Sequence, residues 1–333
     1  MNNIKKVAVL GSGVMGAGIA AQVANAGVPV VLLDIVPDGA KDRGMVAKGA
    51  IAKMLKTNPA PLMHRRNAKL ITPGNLEDDL ELLADCDWIC EAVLENVDVK
   101  HDVYKKVDAH RKKGAIVTSN TSTIPLANLL EGMPDRFAAD FAVTHFFNPP
   151  RYMRLLEVVA GPKTRTEVVD TLRSFGDVRL DKEVIDCNDT PGFIANRLGI
   201  FWSMVATQKA YDLGLTVEEA DAIVGRPMGI PKTGIFGLMD LTGIDLKDHV
   251  LGSMSSLLPN SDAFHGQFDT DHPLNALTDK MVADGYTGRK GKGGFYRLLR
   301  NGAEKKKEGL DLKTGEYRTS VKARLGSVEA GRK

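Results

Sequence analysis

Short apolar runs alternate with stretches of helical periodicity over the first half of this chain. Strands are expected near residues 6–10, 29–33, 88–93, 115–119, 140–146, 154–160 and 178–186, and helices near 14–26, 37–57, 97–112, 124–131 and 165–176. Such alternation predicts an α/β domain, a doubly wound and mostly parallel sheet covered by helices on both faces. After Asp189 the strand signals nearly vanish. Pro191 suits a first helical turn, and Ile194, Leu198, Phe201, Trp202 and Val205 follow at the spacing of a helix buried over much of its surface. Thr216-Val217-Glu218-Glu219 reads as a capping box, and further helices are expected near 235–257 and 273–284. The pattern therefore divides the chain into a sheet domain (1–187), an all-α domain (188–297) and a polar tail or linker (298–333) with no obvious core-forming face.

Composition narrows the function classes. With 333 residues and 43% hydrophobic content the chain suits two domains, and a net charge of +2 gives no case for a nucleic-acid partner. Its apolar runs fall far short of a membrane span, and Lys5 and Lys6 lead straight into a strand instead of a signal segment. Cys86, Cys90 and Cys187 form no CxxC pair, so no disulfide framework and no metal site are indicated. The expectation is a soluble cytoplasmic protein with reduced core thiols. Charge is uneven locally: eight Lys or Arg face the single acid Asp42 between residues 41 and 70, whereas residues 77–98 hold nine acids and no Lys or Arg. The basic stretch is either a phosphate-binding strip or a solvated face, and the two segments could simply neutralise each other.

Two constellations carry chemistry. The run Val7–Leu10 leads into Gly11-Ser12-Gly13-Val14-Met15-Gly16, and a small-residue helix follows. In that order the first glycine permits a tight turn, the second lets a pyrophosphate approach the backbone, and the third allows close helix–strand packing, as in a Rossmann-type dinucleotide site. The second strand ends in Asp34, placed to grip ribose hydroxyls. No arginine adjoins it to accept a 2′-phosphate, which favours NAD over NADP. The other constellation is His145 with Glu157, which meet if Pro149-Pro150 turns the chain between their strands. A carboxylate holding one ring nitrogen protonated leaves the other to act as general base. The competing reading is a satisfied core histidine beside Phe146 and Phe147. The crevice should lie at the carboxyl ends of the strands, where Gly11, Asp34, Glu95, Ser122 and His145 all fall.

Together with Ser119-Asn120-Thr121-Ser122, Glu95-Asn96 with Lys100, Asp189–Arg197 and Gly288–Tyr296, these motifs resemble the 3-hydroxyacyl-CoA dehydrogenase family over roughly residues 4 to 297. The resemblance implies NAD-dependent oxidation of an (S)-3-hydroxyacyl-CoA to a 3-oxoacyl-CoA in fatty-acid β-oxidation, with no metal. It gives His145 the role of base, Glu157 that of stabilising the imidazolium, and Ser122 and Asn196 the holding of substrate oxygens. It places Glu95, Lys100, Ser122, Asn148 and Lys290 against the dinucleotide, beside Gly11, Gly13, Val14, Met15, Gly16 and Asp34. Some of Lys48, Lys53 and Lys56 would meet the coenzyme A phosphates. It also implies a homodimer and, as in longer bacterial fatty-acid oxidation proteins, a hydratase-type domain fused to or associated with the dehydrogenase. Phe201 departs from the proline or alanine frequent at that place, which bears on the packing of its helix. Local readings compete: Ser122 as a helix cap, Glu157 paired with Arg151 or Arg154, Glu95 paired with Lys100. Two rival functions remain, a dehydrogenase of small hydroxy or sugar acids without coenzyme A, and a non-catalytic dinucleotide-binding structural protein.

Overall fold

The computed structural model describes residues 4–230, 232–266, 269–301 and 304–331. It divides into two compact units, Met1–Phe193 and Ile194–Lys333. In chain order the first unit contains β1 (Val7–Leu10), α1 (Val14–Asn25), β2 (Val30–Asp34), α2 (Met45–Met54), β3 (Ile71–Asn75), β4 (Trp88–Glu91) and α3 (Val97–His110). There follow β5 (Ile116–Ser119), α4 (Leu126–Leu129), α5 (Asp135–Ala139), β6 (Phe141–Phe146), β7 (Leu155–Ala160), α6 (Thr166–Val178) and β8 (Glu183–Cys187).

The strands form one eight-stranded sheet in the order β3-β2-β1-β4-β5-β6-β7-β8. Every neighbouring pair is parallel except β6 and β7, which run antiparallel with His145 opposite Glu157. Apolar clusters fill both sides of the sheet, one around Val7, Val9, Ile19, Trp88 and Phe146, the other around Leu10, Leu33, Tyr104, Phe137 and Phe141. Burial on both faces explains why β1, β2 and β4 read as nearly unbroken apolar runs. The sequence pattern misses β3 because it holds Pro73 and Gly74. A proline is tolerated there since β3 is an edge strand.

The second unit contains α7 (Ala195–Asp212), α8 (Val217–Ile223), α9 (Gly234–Thr242), α10 (Asp245–Leu257) and α11 (Pro273–Ala283), then β9 (Tyr296–Asn301), β10 (Glu304–Leu310), β11 (Tyr317–Thr319) and α12 (Gly326–Ala330). The capping box at Thr216 is present, with Glu219 as its reciprocal partner. The single helix expected over 235–257 is two helices, interrupted at Gly243, whose φ of 108° lies outside helical space. Phe201, the departure from the family pattern, packs beside Ile200 and Leu251 onto Met254, Leu258 and Phe264.

The C-terminal domain is helical as expected from α7 to α11, but residues 298–333 are not the polar tail or linker expected. β9, β10 and β11 form an antiparallel sheet, and Leu310 and Leu312 are buried with Ile235, Phe236 and Phe295. The strands escaped notice because β10 is Glu-Lys-Lys-Lys-Glu-Gly-Leu, with no apolar alternation. Charged side chains stabilise it through their stems and heads: Lys307 Nζ sits 3.8 Å from the Tyr296 ring centroid, Arg297 stacks at 3.8 Å on Tyr317, and Arg297 hydrogen-bonds Glu308 at 2.8 Å. The units divide after Phe193 rather than Cys187. Asp189 belongs with the first unit, its carboxylate accepting from the Leu126 amide at 3.0 Å, and Phe193 is buried there against the His145 ring.

Candidate active site

The carboxyl ends of β1, β2, β4, β5 and β6 lie along one edge of the sheet, and the first unit's chemistry gathers there. Gly11 has a φ of 93°, and a Cβ on it would lie 2.5 Å from the Ala92 carbonyl oxygen. A Cβ on Gly16 would lie 1.8 Å from the Gly11 oxygen, so α1 can approach the turn only with glycine at that place. Gly13 differs: a Cβ there meets nothing within 4 Å. Gly13 is the N-cap of α1 and no side chain caps that helix, so its first amides, from Val14 on, have no side-chain cap. An uncapped helix start beside such a cradle fits a pyrophosphate. At the end of β2, Asp34 accepts from the Ser12 amide at 2.5 Å, the Ser12 hydroxyl at 2.6 Å and the Ile35 amide at 2.7 Å. Its half-buried carboxylate thus stands beside the turn, placed for ribose.

At the other end of the edge His145 Nδ1 lies 2.7 Å from Glu157 Oε2. Both are buried, with Glu157 fully inaccessible and His145 6% exposed. Phe147 and Phe193 flank the ring at centroid distances of 4.4 and 5.6 Å. Arg154 is paired with Glu183, and Arg151 donates to the Ala60 and Leu62 carbonyls, so neither arginine takes the role weighed for it against Glu157. The pair is formed by sheet register alone, as directly opposed residues of an antiparallel pair.

Between these ends lies a network that sequence reading only touched. Glu95 accepts from the Thr121 hydroxyl and, at 3.2 Å, from the Ser122 amide. Lys100 is buried, its ammonium 2.7 Å from Glu91 and 3.1 Å from Glu95. Burial works against charge in both groups. The adjacent carboxylates nevertheless raise Lys100 overall, and Lys100 with the Thr121 and Ser122 donors holds the Glu95 carboxyl below its ordinary value. Lys100 is thus buried against Glu91 and Glu95 and offers no exposed surface of its own for the expected dinucleotide contact. Ser122 does not cap α4: the amide of Leu126, the first residue of that helix, is taken by Asp189. Glu91 was overlooked, although an acid closing the apolar strand Trp88–Glu91 was a legible signal. Asn120, which accepts from the Phe146 amide at 2.9 Å, was likewise passed over.

Asn148 begins the turn after β6, at a cis bond to Pro149. Lys48, Lys53 and Lys56 are exposed on and just after α2, with Lys48 paired to Asp42 at 2.7 Å. Arg43 binds Glu77 and Asp78, so the basic and acidic segments do neutralise each other in part. In the second unit Asn196 is half-buried near the start of α7, and Lys290 pairs with Asp245 at 2.8 Å. Among the described residues no cluster of His, Cys, Asp and Glu could hold a metal ion, and no helix is long and apolar enough to cross a membrane.

Comparison with known proteins decides what this geometry belongs to. The profile described as "3-hydroxyacyl-CoA dehydrogenase, NAD binding domain" matches residues 6–190, and that described as "3-hydroxyacyl-CoA dehydrogenase, C-terminal domain" matches residues 192–298. The chain belongs to the 3-hydroxyacyl-CoA dehydrogenase family. It is 43% identical over 298 residues to a Deinococcus radiodurans protein named for 3-hydroxyacyl-CoA dehydrogenase, covering 90% of this chain and 84% of that one. It is also 43% identical over 316 residues to a Rickettsia felis protein named as a trifunctional enzyme of a fatty acid oxidation complex, covering 95% of this chain. The chain spans only 43% of that relative's length. Among solved structures, Mycobacterium tuberculosis FadB2 superposes with a TM-score of 0.74 at 26% identity, over 90% of this chain and all of that one. This member of the dehydrogenase family thus carries an NAD-binding domain whose glycine turn and Asp34 fit the cofactor.

Proposed function

We propose that the protein oxidises (S)-3-hydroxyacyl-CoA thioesters to 3-oxoacyl-CoA in fatty-acid β-oxidation. The observation that supports this reading best is the buried His145–Glu157 pair on the same sheet edge as the glycine turn. With Nδ1–H donated to Glu157, His145 presents Nε2 as the base for the substrate hydroxyl. Glu157 then stabilises the imidazolium. NAD, when bound, supplies the acceptor for the hydride from C3. The amides at the start of α1 and the carboxylate of Asp34 would hold its pyrophosphate and ribose, and Glu95, Ser122, Asn148 and Lys290 would complete its contacts. Ser122 and Asn196 would orient the substrate oxygens, while exposed cations among Lys48, Lys53 and Lys56 would meet the coenzyme A phosphates.

In this reading the enzyme works in the cytoplasm as a homodimer and is fused to or associated with a hydratase-type domain. The substrate class is tested by comparing acetoacetyl-CoA with free acetoacetate under NADH. Strong preference for the thioester is expected, and equal rates would discard coenzyme A recognition. His145→Gln is expected to retain NADH binding while losing turnover by at least about a hundredfold.

A further inference from the structure

Glu91 is wholly buried at the end of β4, and both of its carboxylate oxygens are fully engaged. Oε1 accepts from the Val93 amide at 2.8 Å and from Lys100 Nζ at 2.7 Å. Oε2 accepts from the Tyr104 hydroxyl at 2.8 Å and from Ser119 Oγ at 2.7 Å. Two routes leave Glu91 for the Thr121–Ser122 turn. One runs through Ser119 Oγ, which accepts from the Thr121 amide at 3.1 Å. The other runs through Lys100 to Glu95, which takes the Thr121 hydroxyl and the Ser122 amide. The routes close a ring joining β4, α3 and β5 at the sheet edge.

Burying the Glu91 carboxylate against the Lys100 ammonium is a poor way to gain stability, because desolvation offsets most of the attraction. What such a ring does supply is fixed geometry, since each oxygen and each donor has one place to go. We propose that Glu91 is a positioning residue, holding Glu95 and Ser122 where the dinucleotide and the substrate oxygen require them. This rests on the reading of Glu95 and Ser122 as ligand contacts given above. Tyr104 binds the same carboxylate from α3 and carries neither route on to the Thr121–Ser122 turn. A merely structural Glu91 would leave the Thr121–Ser122 turn unchanged in a folded Glu91→Gln, whereas a positioning Glu91 loosens it as cutting the route at Ser119 does.

The test uses the full chain with Glu91→Gln, Ser119→Ala and Tyr104→Phe, the last two sparing the fold if the first does not. Hydrogen–deuterium exchange of the cofactor-free protein over residues 119–124 and NADH affinity by fluorescence titration are measured for each. Glu91→Gln and Ser119→Ala should speed exchange in that segment and weaken NADH by about tenfold, a change of about 1.4 kcal/mol. Tyr104→Phe should leave both nearly as in the wild type. Equal behaviour of Ser119→Ala and Tyr104→Phe would overturn the proposal, as would wild-type exchange and affinity in a folded Glu91→Gln. Lack of turnover of acetoacetyl-CoA by the wild type would instead refute the substrate reading, and the exchange comparison would still decide the role of Glu91.

Discussion

Replacing Glu157 by Gln removes a charge and almost no volume from beneath His145. In the proposed mechanism His145 takes the hydroxyl proton, and the imidazolium so formed would have its Nδ1 2.7 Å from Glu157 Oε2. Centres of charge about 4 Å apart interact by about 4 kcal/mol at the effective dielectric of about 20 that suits such sites. At 1.36 kcal/mol per decade, loss of that attraction slows the chemical step by about three orders of magnitude. The glutamine can also offer its amide to Nδ1 and so select the wrong ring tautomer, which works in the same direction. The assay follows the rise in NADH absorbance with (S)-3-hydroxybutyryl-CoA and NAD at saturation, the direction in which the imidazolium forms, beside an NADH titration that should be unchanged. A kcat within about tenfold of wild type would refute the assignment of imidazolium stabilisation to Glu157.

Three other outcomes are expected. Gly13→Ala adds a Cβ into open space at an ordinary φ of -61°, so the thermal midpoint should hold while NADH affinity falls about tenfold; unchanged affinity would remove the turn from the cofactor site. Leu310→Ala empties a position only 1% exposed in the second unit's core and should cost about 2–5 kcal/mol in denaturant unfolding, whereas a tail residue would cost almost nothing. Burial pushes the Asp240 carboxyl up to about 6, despite the Tyr296 and Phe295 amides it accepts from. The folded protein then keeps a proton that the unfolded chain has lost, so this contribution is full below an ordinary carboxylate value of about 4 and fades as pH rises through about 6. The stability of wild type relative to Asp240→Asn should accordingly grow as pH falls from about 7 to about 4, and a constant difference in melting across that range would contradict the burial argument.

Local signals were enough where one short segment supplies the chemistry. The strand, glycine turn and helix of Val7–Asn25 could be read in line because each glycine answers a steric demand within a few residues of itself. The alternation of strands and helices likewise predicted the parallel sheet, and Thr216 with Glu219 announced the start of α8. The sequence could nominate His145 and Glu157 as partners, but only the antiparallel register of β6 and β7 makes them directly opposed neighbours. A one-residue slip would have turned the two side chains to opposite faces.

Other features belong to the tertiary structure alone. Pro73 and Gly74 argue against a strand by local propensity, and an open sheet edge overrides them. The lysine-rich β10 contradicts the usual alternation, and stacking on Tyr296 with pairing of Glu308 to Arg297 outweighs it. The sequence could suggest the pairing of Glu95 with Lys100, but not Glu91 and Ser119 as their neighbours; the ring exists because β4 and β5 end where α3 begins. Periodicity and sterics act over a few residues, so sequence determined the elements and the nucleotide turn. Charge networks and the burial of polar strands depend on distant neighbours, so only the folded sheet decided them.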